Sequence, residues 1–426
     1  GLRALLALHE PTALRRPIKK WAAAAGLAAA FLYLLLAGAT VPTQRAFLMT
    51  GLVLLAVLTD RKAISLRLVA IAAALVLLWQ PQALVGASFQ LSFAAVTALV
   101  AVYESWRPLK REEGAADVEG LARLGRRASL YLLLIVATTL IAGAATAPFA
   151  LHHFGRVANY GVVGNLLAIP LMAWLVMPMG VLSMLAMPLG LESWPLAAMG
   201  WGIQAILDIA HWVAALPGAS LQVAASPAWA AALVAVGGLW AAIWRGRWRR
   251  LGALPVAVGL LAPLSIPQPQ AIVSETGRQA AILGPDGGWW LSHPRREKFA
   301  TGVWAEQTGR SLAGGWPEML QAAGLGATGP PLACGPLGCH ARLGGRVIAF
   351  SRDPRSLKED CRNADVLVTG VVMPWALRQG ECRGRIVIDP PARVTLGTHA
   401  LTVGPDGVRV RTVEAARGAR PWSRPR

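Results

Sequence analysis

The sequence predicts a multi-spanning α-helical membrane bundle followed by a small α+β soluble domain. Hydrophobic residues make up 55% of the 426 positions and charged ones only 15%, where a soluble globular chain carries roughly a quarter charged. Apolar runs approaching the ~20 residues that a bilayer requires recur over positions 1–267. From about Gln270 the pattern changes to short alternating runs separated by Gly, Pro and Asp, which reads as strands and turns.

Taken in order, about nine candidate spans lie at 21–38, 46–58, 63–79, 84–103, 129–149, 157–177, 201–216, 228–244 and 252–266, several of them short or broken by Gly and Pro. Lys and Arg set the orientation. Arg15, Arg16, Lys19 and Lys20 precede the first span, and Arg61 and Lys62 follow the second. "RPLKREEGAADVEGLARLGRR" follows the fourth, and "RGRWRR" follows the eighth. With nine spans all four sites fall on one side, the cytoplasm, and residues after about Pro267 fall outside. The net charge of +19 fits basic cytoplasmic loops or a polyanionic partner such as nucleic acid or lipid head groups. The chain opens at Gly1 inside a basic amphipathic stretch with no secretory signal, so it is expected to be part of a longer protein.

Residues 268–412 form the expected external α+β domain, with strands in "QAAILG", "RVIAFS", "ADVLVTG" and "GRIVID". "RREKFATGVWAEQTG" and "DPRSLKEDCRNA" read as helices, the second opened by Asp353 as N-cap with Pro354 at the first helical position. Residues 413–426 read as a disordered basic tail. All four cysteines, Cys334, Cys339, Cys361 and Cys382, lie in this domain. Outside the membrane they suit two disulfides, for which three connectivities are possible. Zinc would need close Cys or Cys/His pairs, and "CGPLGCH" supplies no second pair; no metal or other cofactor is expected.

The polar residues in the apolar half are the candidate site. Gln44 and Arg45 lie in "AGATVPTQRAFLM", where Gly and Pro bend the chain before a run of about 13 apolar residues. This reads either as a short external loop with a snorkelling Arg or as a broken, re-entrant segment lining a wet space. Asn165, near Pro170, Pro178 and Pro188, is either interhelical glue or part of a polar path. His152, His153 and Arg156 end the preceding span; adjacent histidines cannot share a helix face, so they are interfacial or a cationic entrance and not a metal pair. Asp208 and His211 are spaced to pair on one helix. The 17 Trp suit interfacial belts better than a base-stacking platform.

The stretches "RRPIKKWAAAAGLAAAFLYLLLAGATVPTQRAFLM", "ASFQLSFAAV" and "HHFGRVANYGVVGNLLAIPLMAWLVMP", together with the soluble domain after them, resemble the ComEC family of competence proteins, inner-membrane channels for transforming DNA. The likeness covers nearly the whole chain and matches the later part of such a protein. It implies conduction of single-stranded DNA, contact with membrane lipids, a separate cytoplasmic motor (no GxxxxGK[ST] loop occurs here) and periplasmic DNA-binding uptake proteins as partners. Gln44, Arg45, His152, Arg156 and Asn165 would be the channel-lining residues. In many members the carboxy-terminal domain is metallo-β-lactamase-like, a two-metal fold with H-x-H-x-D-H and a His pair after an Ala-Asp-Val-Leu strand. Here "ADVL" at 364–367 is followed by "VTGVVMP", and the histidines of this domain, His293, His340 and His399, stand far apart in the sequence. The domain therefore resembles a degenerate version without catalytic residues. Asp286, Asp365 and Asp389 are expected to form turns. Two other functions stand beside the channel: a secondary transporter of a small anion, which would favour an inverted repeat that the sequence does not show, and a membrane-anchored nuclease, which lacks its ligands.

Overall fold

The computed structural model describes residues 17–62, 64–106, 121–323 and 332–418. Arg15, Arg16, most of the basic stretch after the fourth predicted span, and residues 419–426 lie outside the described residues. The chain divides into two compact units, Gly1–Leu221 with Ser226–Ala262, and Gln222–Ala225 with Pro263–Arg426.

The first unit is helical: α1 (Ile18–Leu36), α2 (Val41–Leu58), α3 (Leu66–Trp79), α4 (Ala87–Trp106), α5 (Leu121–Phe154), α6 (Gly161–Leu171), α7 (Met177–Ala186), α8 (Ser193–Ala215), α9 (Ala228–Ile243) and α10 (Ala253–Leu261). Between α6 and α7 the turns widen to a π-helical segment, Met172–Val176. Pro170 and Pro178, one before and one inside this stretch's neighbours, each remove an N–H from the ladder. The short strands β1 (Arg156–Ala158) and β2 (Ser220–Gln222) pair with each other.

The surface of this unit is the inverse of a soluble protein. Leu36, Leu78, Trp79, Val85, Trp174 and Trp201 are all more than 70% exposed, while many of the buried positions are small, as at Ala23, Ala72 and Ala230. Large side chains outward and small ones inward is the arrangement of helices solvated by lipid. Among the described residues five helices are long and apolar enough to cross a membrane: 18–36, 87–105, 125–154, 161–189 and 193–215. Four of the nine predicted spans therefore correspond to shorter helices, of 18, 14, 16 and 9 residues. The shortest rises only about 14 Å at 1.5 Å per residue, about half the hydrocarbon thickness.

One correction concerns Gln44 and Arg45. The chain is not broken there; the turn lies at Ala37–Thr40, where Gly38 and Ala39 take positive φ of 71° and 48°. Pro42 then fits the first turn of a continuous α2, a position where its missing N–H costs nothing.

The α9–α10 hairpin shows how the small residues work. A Cβ on Gly237 would sit 2.5 Å from the Gly252 carbonyl oxygen and 2.8 Å from Pro255, and one on Gly259 would sit 2.5 Å from the Ala230 carbonyl oxygen. The two backbones touch because nothing stands between them.

The second unit carries two sheets. One has the order β13-β12-β3-β4-β5-β6 and the other β11-β10-β9-β8-β7. The strands are β3 (Ala271–Val273), β4 (Ala280–Leu283), β5 (Trp289–Leu291), β6 (Leu312–Gly315), β7 (Leu332–Cys334), β8 (Gly338–Leu343), β9 (Arg346–Ser351), β10 (Val366–Thr369), β11 (Ile386–Ile388), β12 (His399–Gly404) and β13 (Gly407–Thr412). In the first sheet only β5 and β6 run parallel; in the second, β9, β10 and β11 do. Ala271, Ile282 and Leu401 of the first sheet pack with Leu332, Ile348, Val366 and Ile388 of the second, so the sheets face one another. The outer faces are covered by helices, Trp304 of α11 (Lys298–Thr308) against Trp289 and Leu291, and Leu357 and Cys361 of α13 (Leu357–Asn363) against Ala349 and Leu367. The remaining helices are α12 (Trp316–Ala323), α14 (Trp375–Gln379), α15 (Pro390–Leu396) and α16 (Val413–Arg417). The predicted capping by Asp353 is present, its side chain accepting from the Arg355 amide. The helix expected over "RREKF" begins only at Lys298, because Glu297 adopts left-handed backbone. Residues 413–417, expected to be disordered, form α16, capped by Thr412.

Cys334 bonds to Cys339 within the β7–β8 hairpin, and Cys361 bonds to Cys382 across 21 residues. Gly237→Val should abolish accumulation of folded protein in the membrane, whereas Gly238→Val, at a position with open space, should be tolerated; immunoblotting of membrane fractions compares them. Removing the Cys361–Cys382 bridge should cost the second unit about 3 kcal/mol and removing Cys334–Cys339 about 2 kcal/mol from loop-closure entropy, measured by denaturation of paired Cys→Ala variants.

Candidate functional site

Chain alternation through the helical unit brings the start of α2, the end of α3, the start of α4, the end of α5 and the start of α9 to one end of the bundle. The polar residues of these apolar helices converge there. Arg45 Nη2 donates to Ser88 Oγ. Gln80 Nε2 donates to Gln44 Oε1 at 3.4 Å, and Gln44 Nε2 donates to the Ala39 carbonyl at 2.8 Å. Gln90 donates to the Leu84 carbonyl at 3.0 Å, and its Oε1 meets His153 Nε2 at 2.9 Å. His152 Nδ1 lies 2.6 Å from the Ser226 carbonyl.

Arg45 is the centre of interest. It is buried, 8% exposed, and its Nε has no hydrogen-bond partner. Among the described residues no carboxylate lies within ion-pair distance of it. It occupies the core-facing stripe of α2, three, four and seven residues before Leu48, Met49 and Leu52, which pack on Ala72, Val76, Phe89 and Phe93. A buried charge is costly unless paired, and here only a serine hydroxyl meets the guanidinium.

The structure separates the predicted lining residues. Gln44 and Arg45 share this end with His152. Arg156 is exposed on β1. Asn165 is exposed on α6, and its Nδ2 is 3.3 Å from Thr139 Oγ1. Thr139 stands 15 residues before Phe154 on α5, about 20 Å of helix rise, so Asn165 sits at another depth. Asp208 accepts from Gln204 at 2.9 Å and not from His211. Sequence reasoning missed Gln80, Ser88 and Gln90; the signal was present as polar residues clustered about Pro81 and Gly86 between two apolar runs.

The opposite end is charged. Lys20 pairs with Asp60 at 2.5 Å, Arg245 with Glu104 at 3.7 Å, and Arg249 reaches Ser105 at 3.2 Å. Arg61, Lys62, Arg126, Arg127, Arg247 and Arg250 stand exposed or half-exposed around it.

In the second unit the acids are structural. Asp286 accepts from the Trp290 indole at 2.9 Å and holds a turn. Asp389 caps α15 and pairs with Arg378 at 2.9 Å. Asp365 accepts from the Val347 amide at 2.9 Å, which with Arg346 and Arg385 holds its carboxyl below the usual range. Buried Asp360 bridges Ser351 Oγ and His340 Nε2. That order puts the acid between serine and histidine, so the serine has no base and the trio is not a nucleophilic triad. Among the described residues no three His, Cys, Asp or Glu side chains cluster closely enough to hold a metal.

The family model described as competence protein matches residues 2–248, more than half of the chain. The chain belongs to the competence protein family. The match spans the whole polar helix-end cluster and ends before the sheets of the second unit begin. No curated protein matches the chain, and no solved structure does.

His399 is 2% exposed. Burial holds its imidazole below the usual 6.5, the Gly397 backbone opposes this, and Arg393 adds repulsion. A depressed histidine pKa means that the unfolded chain binds more protons. The second unit should therefore lose stability as the pH falls from about 6.5 towards 5, before its carboxylates titrate. Thermal unfolding across that range should show the loss, and His399→Gln should flatten the dependence.

Proposed function

We propose that the helical unit conducts single-stranded DNA across the bacterial inner membrane during competence. The observation that carries this is Arg45, a buried guanidinium with a free Nε and no carboxylate, set in a collar of amides, hydroxyl and imidazole at a helix-end cluster. Such a collar suits a passing anion. Hydrogen bonds from Gln44, Gln80 and Ser88 hydrate the path, and a single strong cation holds each phosphate loosely enough to release it. His152 and Arg156 would serve the mouth of the path, and Asn165 would line it deeper. A motor on the cytoplasmic side would supply the drive, and DNA-binding uptake proteins outside would deliver the strand.

The orientation follows from the charges. The α9–α10 hairpin turns at Arg245–Arg250, and cationic turns remain in the cytoplasm. Residues 222–225 before the hairpin and Pro263 after it both belong to the second unit, which supports our reading of that unit as external. There oxidising conditions suit its two disulfides. We read the unit as a metal-free relative of the metallo-β-lactamase fold: the "ADVL" strand is β10, and Val371 and Val372 follow it where that fold carries a histidine pair.

Arg45→Ala should lower transformation frequency about ten- to a hundred-fold, the equivalent of the ~1.5–3 kcal/mol of a hydrogen bond to a charged group, with membrane abundance and surface binding of duplex unchanged. Equal loss of abundance and transformation would make Arg45 a structural residue, and unchanged transformation would refute conduction past it.

A further inference from the structure

Two loops and a strand end meet at one edge of the sandwich. The β3–β4 turn (274–278) carries Arg278; the loop from Ser292 to Glu297 carries His293 and Arg296; Arg352 follows the last residue of β9, Ser351. Their meeting is built from inside. Gln279 is fully buried, and all of its amide is used. Its Nε2 donates to the carbonyls of His293 at 2.8 Å and Arg296 at 3.3 Å, while its Oε1 accepts from Ser292 Oγ at 2.8 Å and the His293 amide at 3.0 Å. Thr276 Oγ1 bonds Glu297 and so ties the turn to the loop. Gly277, at φ 70°, lies flat on the buried guanidinium of Arg393, which a Cβ would meet at 2.5 Å. The edge is thus a rigid frame from which cations project.

Arg278 and Arg296 line a cavity of about 540 Å³ with Glu297, whose carboxylate is engaged by Thr276. Among the described residues no carboxylate lies within ion-pair distance of Arg278, Arg296, Lys298 or Arg352. Arg296 and Arg352 stand close enough to His293 to push its imidazole towards the neutral form, after burial as the larger cause. Immediately beyond, at the start of α11, Phe299 is 87% exposed. A ring so exposed buries little area on folding and contributes little to the core.

We infer that this edge binds single-stranded nucleic acid, with Arg278, Arg296, Lys298 and Arg352 on successive phosphates and Phe299 stacking a base. Unpaired cations framing one exposed ring provide both elements of single-strand recognition, backbone attraction and a sequence-tolerant π-face. Duplex offers its phosphates but no free base face. Membrane docking requires a broad apolar face beside the cations, and here a single ring projects. The inference deepens the conduction reading, since it gives the external unit a hold on the strand before passage, but binding does not require passage.

The test uses the full chain in phosphatidylcholine nanodiscs and a fluorescent 20-nucleotide oligo-dT, with a 20-base-pair duplex beside it. Phe299→Ala should weaken oligo-dT binding about five- to a hundred-fold and duplex binding less than twofold, and Phe299→Trp should restore it. The Arg278→Ala/Arg296→Ala pair should weaken both ligands and reduce the salt slope for oligo-dT by about 1.4, two phosphates at ~0.7 each. Unchanged oligo-dT binding in either variant would overturn the site. Equal losses for both ligands in Phe299→Ala would overturn stacking. Losses confined to anionic vesicles would assign the edge to lipid head groups instead. If binding behaves as expected while Arg45→Ala leaves transformation intact, conduction fails and this site stands; the reverse result removes the site and keeps conduction.

Discussion

A charge inside a bundle of apolar helices needs a partner, and Arg45 has only a serine hydroxyl. Much of the helix-end geometry is arranged around that fact. The turn at Ala37–Thr40 places Arg45 one turn inside α2, on the stripe that packs towards Phe89 and Phe93. The break between α3 and α4 brings Gln80 and Ser88 alongside, and the end of α5 adds His153 against Gln90. Each polar group meets another before it meets lipid, as the absence of water in a hydrocarbon core demands. The Arg45 Nε is left without a hydrogen-bond acceptor among its neighbours.

The contrast between the two ends of the bundle follows from the same energetics. Lys and Arg at the charged end sit at the surface, where long stems carry their heads into water and pairs such as Lys20–Asp60 contribute little. The amides and imidazoles at the other end are short, so they can stay among packed helices if they bond each other. Close helix pairs make this affordable: α9 and α10 approach until backbone meets backbone, through Gly237, Gly252 and Gly259.

The second unit solves a different problem. Its strands are short, three to six residues, and bury their side chains only because two sheets face each other and helices cover both outer faces. Buried Gln279, Arg393 and Asp389 then lock the loops that join the layers. The disulfides tie a hairpin and a helix to that framework. What is left outside, around Arg278 and Phe299, is held in place and unpaired.

Membrane character, the order of the helices, the change of composition near Gln270 and the strands β4, β9, β10 and β11 were legible in the sequence, because each rests on local hydrophobic periodicity and length. So were the Asp353 cap and Arg45 as a residue of interest, since a cation in an apolar run stands out by itself. Helix continuity through Gln44 was not legible: Gly and Pro mark a turn but do not say on which side of it a residue falls. Nor could local pattern say that Asn165 meets Thr139, about 20 Å along α5 from Phe154, that Gln80, Ser88 and Gln90 complete the collar, or which cysteines pair. Those depend on which distant segments touch. Only tertiary packing decides that, because contact between residues far apart in sequence is set by the shapes of whole helices and sheets and not by the composition of any one stretch.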